Sequence, residues 1–150
     1  MNSCISVQMR APCRFCRREW EAWLACMMEA AGDAGMLPGQ VNSLRRNETA
    51  DWSVDLVVAS DGAIAAVNRR SLACSGPTNI LSFPEEGRIG SLFLSSDTME
   101  REIFLYGQEP EAHACRLLAH GFGHVCGFDH GADMDAFCSM LEESCRRAGG

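Results

Sequence analysis

A domain that mixes helices with a small sheet, α/β or α+β, is the fold class the sequence predicts. Three observations predict it. Residues 52–59 alternate apolar and polar side chains, as a strand does. Residues 14–31 place Trp20, Trp23, Leu24, Met27 and Met28 at helical spacing. Short apolar runs at 79–83 and 89–94 are bounded by turn residues. With 150 residues, 47% of them hydrophobic and 22% charged, the chain has a globular profile and length for one core. Residues 1–150 are expected to form a single domain, with no repeat, low-complexity segment or linker.

In order along the chain, residues 4–9 alternate weakly and form a short strand. The helix over 14–31 is broken by Gly32, Gly35 and the Pro38-Gly39 pair. Trp52, Val54, Leu56 and Val58 give the next strand one buried face. Asp61 is placed as the N-cap of a short helix, which Ile64, Ala65 and Val67 fit, running to about Leu72. Ser75-Gly76-Pro77 is a turn, and the apolar strand that follows ends at Pro84. After the strand at 89–94, residues 97–106 fit a helix with Met99, Ile103 and Phe104 inward. Pro110 suits the first turn of a helix that carries His113, Leu117, His120 and His124 on one side. Gly127 ends it, and a last helix covers about 132–147.

Charge and cysteine content narrow the function classes. The net charge is −7 and the pI near 5.0, which argues against a general affinity for phosphates and gives no reason to expect DNA as a partner. The basic residues, all Arg, nevertheless cluster: Arg10, Arg14, Arg17 and Arg18; Arg45 and Arg46; Arg69 and Arg70. A guanidinium binds phosphate oxygens bidentately, so any such cluster is either a phosphate site or a solvated face. Nine cysteines, an odd number spread through helical segments, do not read as a disulfide framework and are expected to be small buried hydrophobes. Cys13 and Cys16 form a CxxC without a second pair. No apolar run reaches the ~20 residues of a membrane span, and the N-terminus lacks an apolar signal core. A cytoplasmic location without membrane partners is expected.

The informative segment is His120-Gly-Phe-Gly-His124-Val-Cys-Gly127-Phe-Asp129-His130. Two histidines four apart share one face of a helix, about 6 Å apart along its axis, and can chelate one cation. Gly127 can take the left-handed conformation that ends a helix, letting the chain bring His130 back as a third ligand. Three imidazoles leave a tetrahedral ion one open position, the arrangement of a catalytic zinc site. Nickel or copper also accept imidazole. His113, seven residues before His120, lies about 10 Å along the axis and is too far to join. Asp129 is placed either to orient a ligand or to form the turn.

The spacing resembles that of metzincin proteases, with Met134 or Met140 in the place of the methionine beneath the metal. Gly121, however, stands where those enzymes carry the glutamate general base. The segment is closer to HGxLHLxGYDH, the motif of the YbeY family. Gly76-Pro77-Thr78-Asn79-Ile80-Leu81-Ser82-Phe83-Pro84 resembles that family's PTNVLSFP segment, Asn68 fits its pattern, and Met140-Leu-Glu-Glu143 matches its Met-x-x-Glu helix. The resemblance runs from about residue 51 to 147. It implies a zincin-like α+β fold, with a small mixed sheet of about four strands and the metal site on a C-terminal helix and the following turn. It also implies a single-strand-specific endoribonuclease that works in ribosomal RNA maturation and ribosome quality control, with ribosomal RNA and ribosomal subunits as partners.

By position, the resemblance makes His120, His124 and His130 the ligands of one zinc ion per chain. Thr78 to Phe83 becomes a strand lining the substrate cleft. Three positions depart from the family pattern. Gly123 replaces a leucine, Gly90-Ser91-Leu92 lacks the carboxylate of Gly-Asp-Ile, and Leu72 stands where the family has a functional arginine. The nearest replacement is Arg70, placed with His120 among the catalytic residues. A zinc metallopeptidase-like hydrolase and a non-catalytic ribosome-associated protein with structural zinc are the competing readings.

Overall fold

The computed structural model describes residues 2–38, 51–72, 78–86 and 88–149. Arg45, Arg46, Gly39, Cys74 and the Ser75-Gly76-Pro77 turn lie outside the described residues, as does the side chain of Leu72. Nine elements follow one another in those stretches: β1 (Asn2–Met9), α1 (Arg17–Asp33), β2 (Asp51–Ala59), α2 (Asp61–Leu72), β3 (Ile80–Pro84), β4 (Gly90–Ser95), α3 (Ser96–Tyr106), α4 (Pro110–Val125) and α5 (Ala132–Gly149). The strands form one four-stranded sheet in the order β1-β2-β4-β3. β1 and β4 run parallel to β2 on either side of it, and β3 pairs antiparallel with β4, Ile80 opposite Leu94 and Ser82 opposite Leu92. The sheet is therefore mixed, and the fold is α+β with the histidine segment on the C-terminal helices.

Alternation along the strands builds two cores. Val54, Leu56, Val58, Leu92 and Leu94 face one side, where they meet Trp20, Leu24 and Met27 of α1, Leu118 and Phe122 of α4, and Phe137 and Leu141 of α5. Val57, Ala59 and Leu81 face the other side, against Ile64 of α2, with Val67, Phe83 and Phe93 packed around them. The expectation of one buried face for β2 is corrected here. A parallel strand at the centre of a sheet has helices over both faces, so at its C-terminal end Val57 and Ala59 are buried as well as Leu56 and Val58.

Two other expectations are corrected. Ser60, not Asp61, caps α2: its hydroxyl accepts from the Ala63 N–H at 3.3 Å and its carbonyl from the Ile64 N–H at 3.0 Å. Asp61 instead turns its carboxylate to Ser95, Thr98 and Arg101 at 2.6–2.7 Å, tying α2 to the start of α3. Met99 and Ile103 of α3 are buried as expected, but Phe104 is 85% exposed. A residue adjacent to the apolar stripe has been rotated off it, and Leu105 and Tyr106 join it at the surface. The cysteines are mixed rather than uniformly buried: Cys115 and Cys145 are buried, while Cys4 and Cys16 are exposed, and all eight described ones are free thiols.

Candidate metal centre

Helix α4 positions the first two histidines. Its start is fixed by Glu109, whose carboxylate accepts from the Glu111 and Ala112 N–H groups at 3.2 and 2.6 Å, and by Pro110 in the first turn, where no partner for its nitrogen is needed. Its end is fixed by Gly127, at φ 97°, a conformation that costs glycine little. The Gly127 N–H donates to the His124 carbonyl and the Phe128 N–H to the Gly123 carbonyl, each at 3.0 Å. Phe128 then stacks on Phe137 of α5, rings 4.5 Å apart. This closed turn carries His130 back toward the helix.

The three imidazoles converge. One ring nitrogen from each of His120, His124 and His130 lies within 4.8 Å of the others, a group that could hold a metal ion. It is the one such group of three or more among the described residues. Ring centroids are 4.6 Å apart for His120 and His124, 5.0 Å for His124 and His130, and 5.4 Å for His120 and His130. The donor chemistry fits a cation. His124 Nδ1 lies 3.0 Å from the Phe128 carbonyl, which can only accept, so Nδ1 carries the proton and Nε2 keeps its lone pair. That lone pair points at His120 Nε2, 3.1 Å away. Burial pushes the His120 pKa down, and the neighbouring His124 and His130 push it further, with Asp135 opposing. A neutral imidazole is the form that ligates a metal.

The orienting acceptor is thus a backbone carbonyl, and the Asp129 side chain is exposed beside the turn. The sequence carried no signal for that choice, because every residue has a carbonyl. Met134, buried at 1%, lies against Gly123, where an added Cβ would meet its sulfur at 2.7 Å. The leucine that resemblance led one to expect at 123 is replaced by space that Met134 fills. Cys126 and Cys138 stand near this segment, but burial raises their thiols to about 12 and about 11, so they remain protonated.

Strand β3 runs beside α4. Ser82 Oγ donates to the Gly121 carbonyl at 3.1 Å, next to His120. A Cβ on Gly121 would sit 2.6 Å from Ile80 Cδ1 and 3.1 Å from Leu92 Cδ2, so position 121 points into the sheet. A side chain at 121 would start toward Ile80 and Leu92 rather than toward the histidine nitrogens.

Arg70 sits exposed in the last turn of α2, over the opposite face of the sheet from α4 and eight residues before Thr78. Among the described residues no hydrogen bond or ion pair joins it to the histidines. Arg69 and Arg70 have no acidic partner among the described residues. Arg14 and Arg17, by contrast, are held by Glu100 and Glu21 at 2.7 and 3.3 Å. His113 is buried, with Nε2 3.3 Å from Glu102. No helix among the described residues is long and apolar enough to cross a membrane.

Comparison with known proteins gives the family and the fold. A family model described as Endoribonuclease YbeY matches residues 20–145. An endoribonuclease YbeY of Nitratidesulfovibrio vulgaris is 45% identical over 120 residues, a match covering 65% of this chain and 72% of that protein. One from Methylocella silvestris is 32% identical over 124 residues, covering 79% of this chain and 70% of the relative. The solution structure of a Thermotoga maritima protein superposes with a TM-score of 0.64 over 94% of this chain and 88% of its own, at 18% identity, which shows a shared fold.

Proposed function

The chain belongs to the YbeY family of endoribonucleases, and on that premise we propose that it hydrolyses phosphodiester bonds in single-stranded ribosomal RNA, with zinc, during rRNA maturation and ribosome quality control. RNA as the substrate class follows from the family. The finer reading rests on one observation, the convergence of three imidazole nitrogens with a lone pair fixed inward by the Phe128 carbonyl. In this reading His120, His124 and His130 hold one zinc ion, and residues 1–150 act as one catalytic domain in the cytoplasm, on ribosomal subunits.

A zinc ion held there supplies Lewis acidity toward a phosphodiester oxygen. The chain's own residues supply the rest. β3 lines the approach to the histidines and orients the RNA strand. Arg70, free of any carboxylate among the described residues but across the sheet from α4, is in this reading a contact for a phosphate of the RNA strand away from the histidines, with a planar fork matched to two of its oxygens. His120 acts as a ligand in this reading. A peptidase reading loses ground to the direction of position 121, because the general base of that chemistry has no room there.

The test is elemental analysis and cleavage of a single-stranded oligoribonucleotide by the wild type and by a His120→Ala/His124→Ala variant. One zinc per chain and RNA cleavage, both lost in the variant, is the expected result. Full cleavage by a metal-free variant would overturn the zinc mechanism. Ribosome binding with one zinc and no turnover would favour a non-catalytic binding protein.

A further inference from the structure

On the helix of the histidine site, toward its start, lies a part-buried polar cluster that the chemistry above does not use. His113, 6% exposed, belongs to the first turns of α4. Its Nε2 is 3.3 Å from Glu102 Oε1 on α3. The other carboxylate oxygen, Oε2, accepts from Asn79 Nδ2 at 3.4 Å. Asn79 stands at the entrance to β3, and both its oxygens are also engaged. Its Oδ1 accepts from the Ile80 N–H at 2.7 Å, and its carbonyl accepts from the Ser95 N–H at 2.9 Å. His113 Nδ1 is buried without a partner among the described residues, so the Glu102 contact is that ring's one polar anchor there. A carboxylate only accepts, which makes Nε2 the protonated nitrogen.

The second fastener of the same strand is the Ser82 Oγ–Gly121 carbonyl bond. Asn79 and Ser82 are three residues apart, about 10 Å along a strand. His113 and Gly121 are eight apart, about 12 Å along a helix. The two spans match, so β3 is riveted along α4 at both ends, and α4 is the helix that carries His120 and His124. The rivet at the serine end is one direct bond. The rivet at the asparagine end works through a shared carboxylate, whose two oxygens are split between the strand and the helix.

We propose that Glu102 and His113 are positioning residues, which act through Asn79 to set the place of β3 against the histidine helix and thereby determine how tightly the RNA strand is held. The claim about RNA rests on the reading above, in which β3 lines the cleft; the claim about β3 itself does not. Neither residue touches the ion, so zinc content is a readout that their loss leaves alone.

The test compares full-length wild type with Glu102→Ala, His113→Asn and His113→Gln. A glutamine amide nitrogen reaches the place of Nε2 and can still donate to Glu102, whereas asparagine mimics Nδ1 and cannot. Expected for Glu102→Ala and His113→Asn are one zinc per chain, a KM for single-stranded RNA raised fivefold or more with kcat within twofold, and amide exchange at 79–83 at least tenfold faster. His113→Gln is expected within twofold of wild type on every measure. Identical behaviour of the Asn and Gln variants would overturn the proposal, as would unchanged exchange at 79–83, or zinc lost together with affinity. If the wild type cleaves no RNA, the proposed function falls, while the exchange comparison still decides whether the clamp exists.

Discussion

Gly121 and Gly123 stand two residues apart on α4 and meet different neighbours. A methyl group at 121 would crowd Ile80 and the fully buried Leu92, both wedged between sheet and helix. At 123 it would meet only the flexible end of Met134 and, at 3.5 Å, the Cys138 sulfur. Both changes gain about 1 kcal/mol of helix propensity. Overpacking typically costs about 1–3 kcal/mol, and it falls mainly on position 121. Gly121→Ala is therefore expected to lower stability by about 1 kcal/mol, while Gly123→Ala stays close to the wild type or above it, as urea denaturation would show. The same reasoning explains what could be read from the sequence here. The ligand spacing and the helix-ending Gly127 are local, so His120, His124 and His130 were legible as a group. Gly123 read only as flexibility, because its partner Met134 lies across another helix. The acceptor for His124 was not legible, since a carbonyl leaves no mark on the sequence.

At the scale of elements, the starts of α2 and α3 are joined through Asp61. Its carboxylate accepts from Arg101, Ser95 and Thr98, and its own N–H donates to Asp97. The hydrogen bond from Arg101 above all, with those from Ser95 and Thr98, lowers its pKa from 3.8 to about 2. A carboxyl with a folded pKa below its unfolded one stabilises the fold above the unfolded value, and that contribution disappears as pH falls through the folded value. Asp61→Asn should thus cost up to about 2 kcal/mol at neutral pH, and the gap from wild type should narrow between about pH 4 and pH 2 in acid titrations followed by circular dichroism. Arg70, at the far end of α2, makes a different prediction. Arg70→Ala should retain zinc and thermal stability yet lose at least tenfold in kcat/KM on RNA, about 1.4 kcal/mol of transition-state binding. Element existence was legible from periodicity for every helix and strand in the described residues. Facing was less so: Phe104 adjoins the apolar stripe in sequence but projects to solvent, and Asp61 resembles a cap until the serine before it is seen to do that work.

Across the whole molecule, both faces of the sheet are covered, and the larger core lies on the side of α1, α4 and α5. Leu118, fully buried there, should cost about 2–5 kcal/mol when changed to alanine, and because it belongs to the helix of His120 and His124, the change should also weaken zinc binding. An ion that binds the folded chain and not the unfolded one stabilises it by mass action, by about 2.7 kcal/mol at a hundredfold excess over Kd. Added zinc should raise Tm in the wild type and leave a His120→Ala/His124→Ala variant unmoved. The pairing of strands distant in sequence was not legible, because alternation tells which residues face inward and not which strand is the neighbour. The order of elements along the chain has a further result. All four strands are complete by Ser95, and the histidines begin twenty-five residues later. During synthesis the sheet and α1 emerge before α4 and α5, so a nascent chain stopped short of Pro110 bears an apolar face that α1 alone covers, with the rest open to the kind of binding chaperones offer. In the reading proposed above, ion capture is then the closing step of maturation, made on a scaffold already laid down.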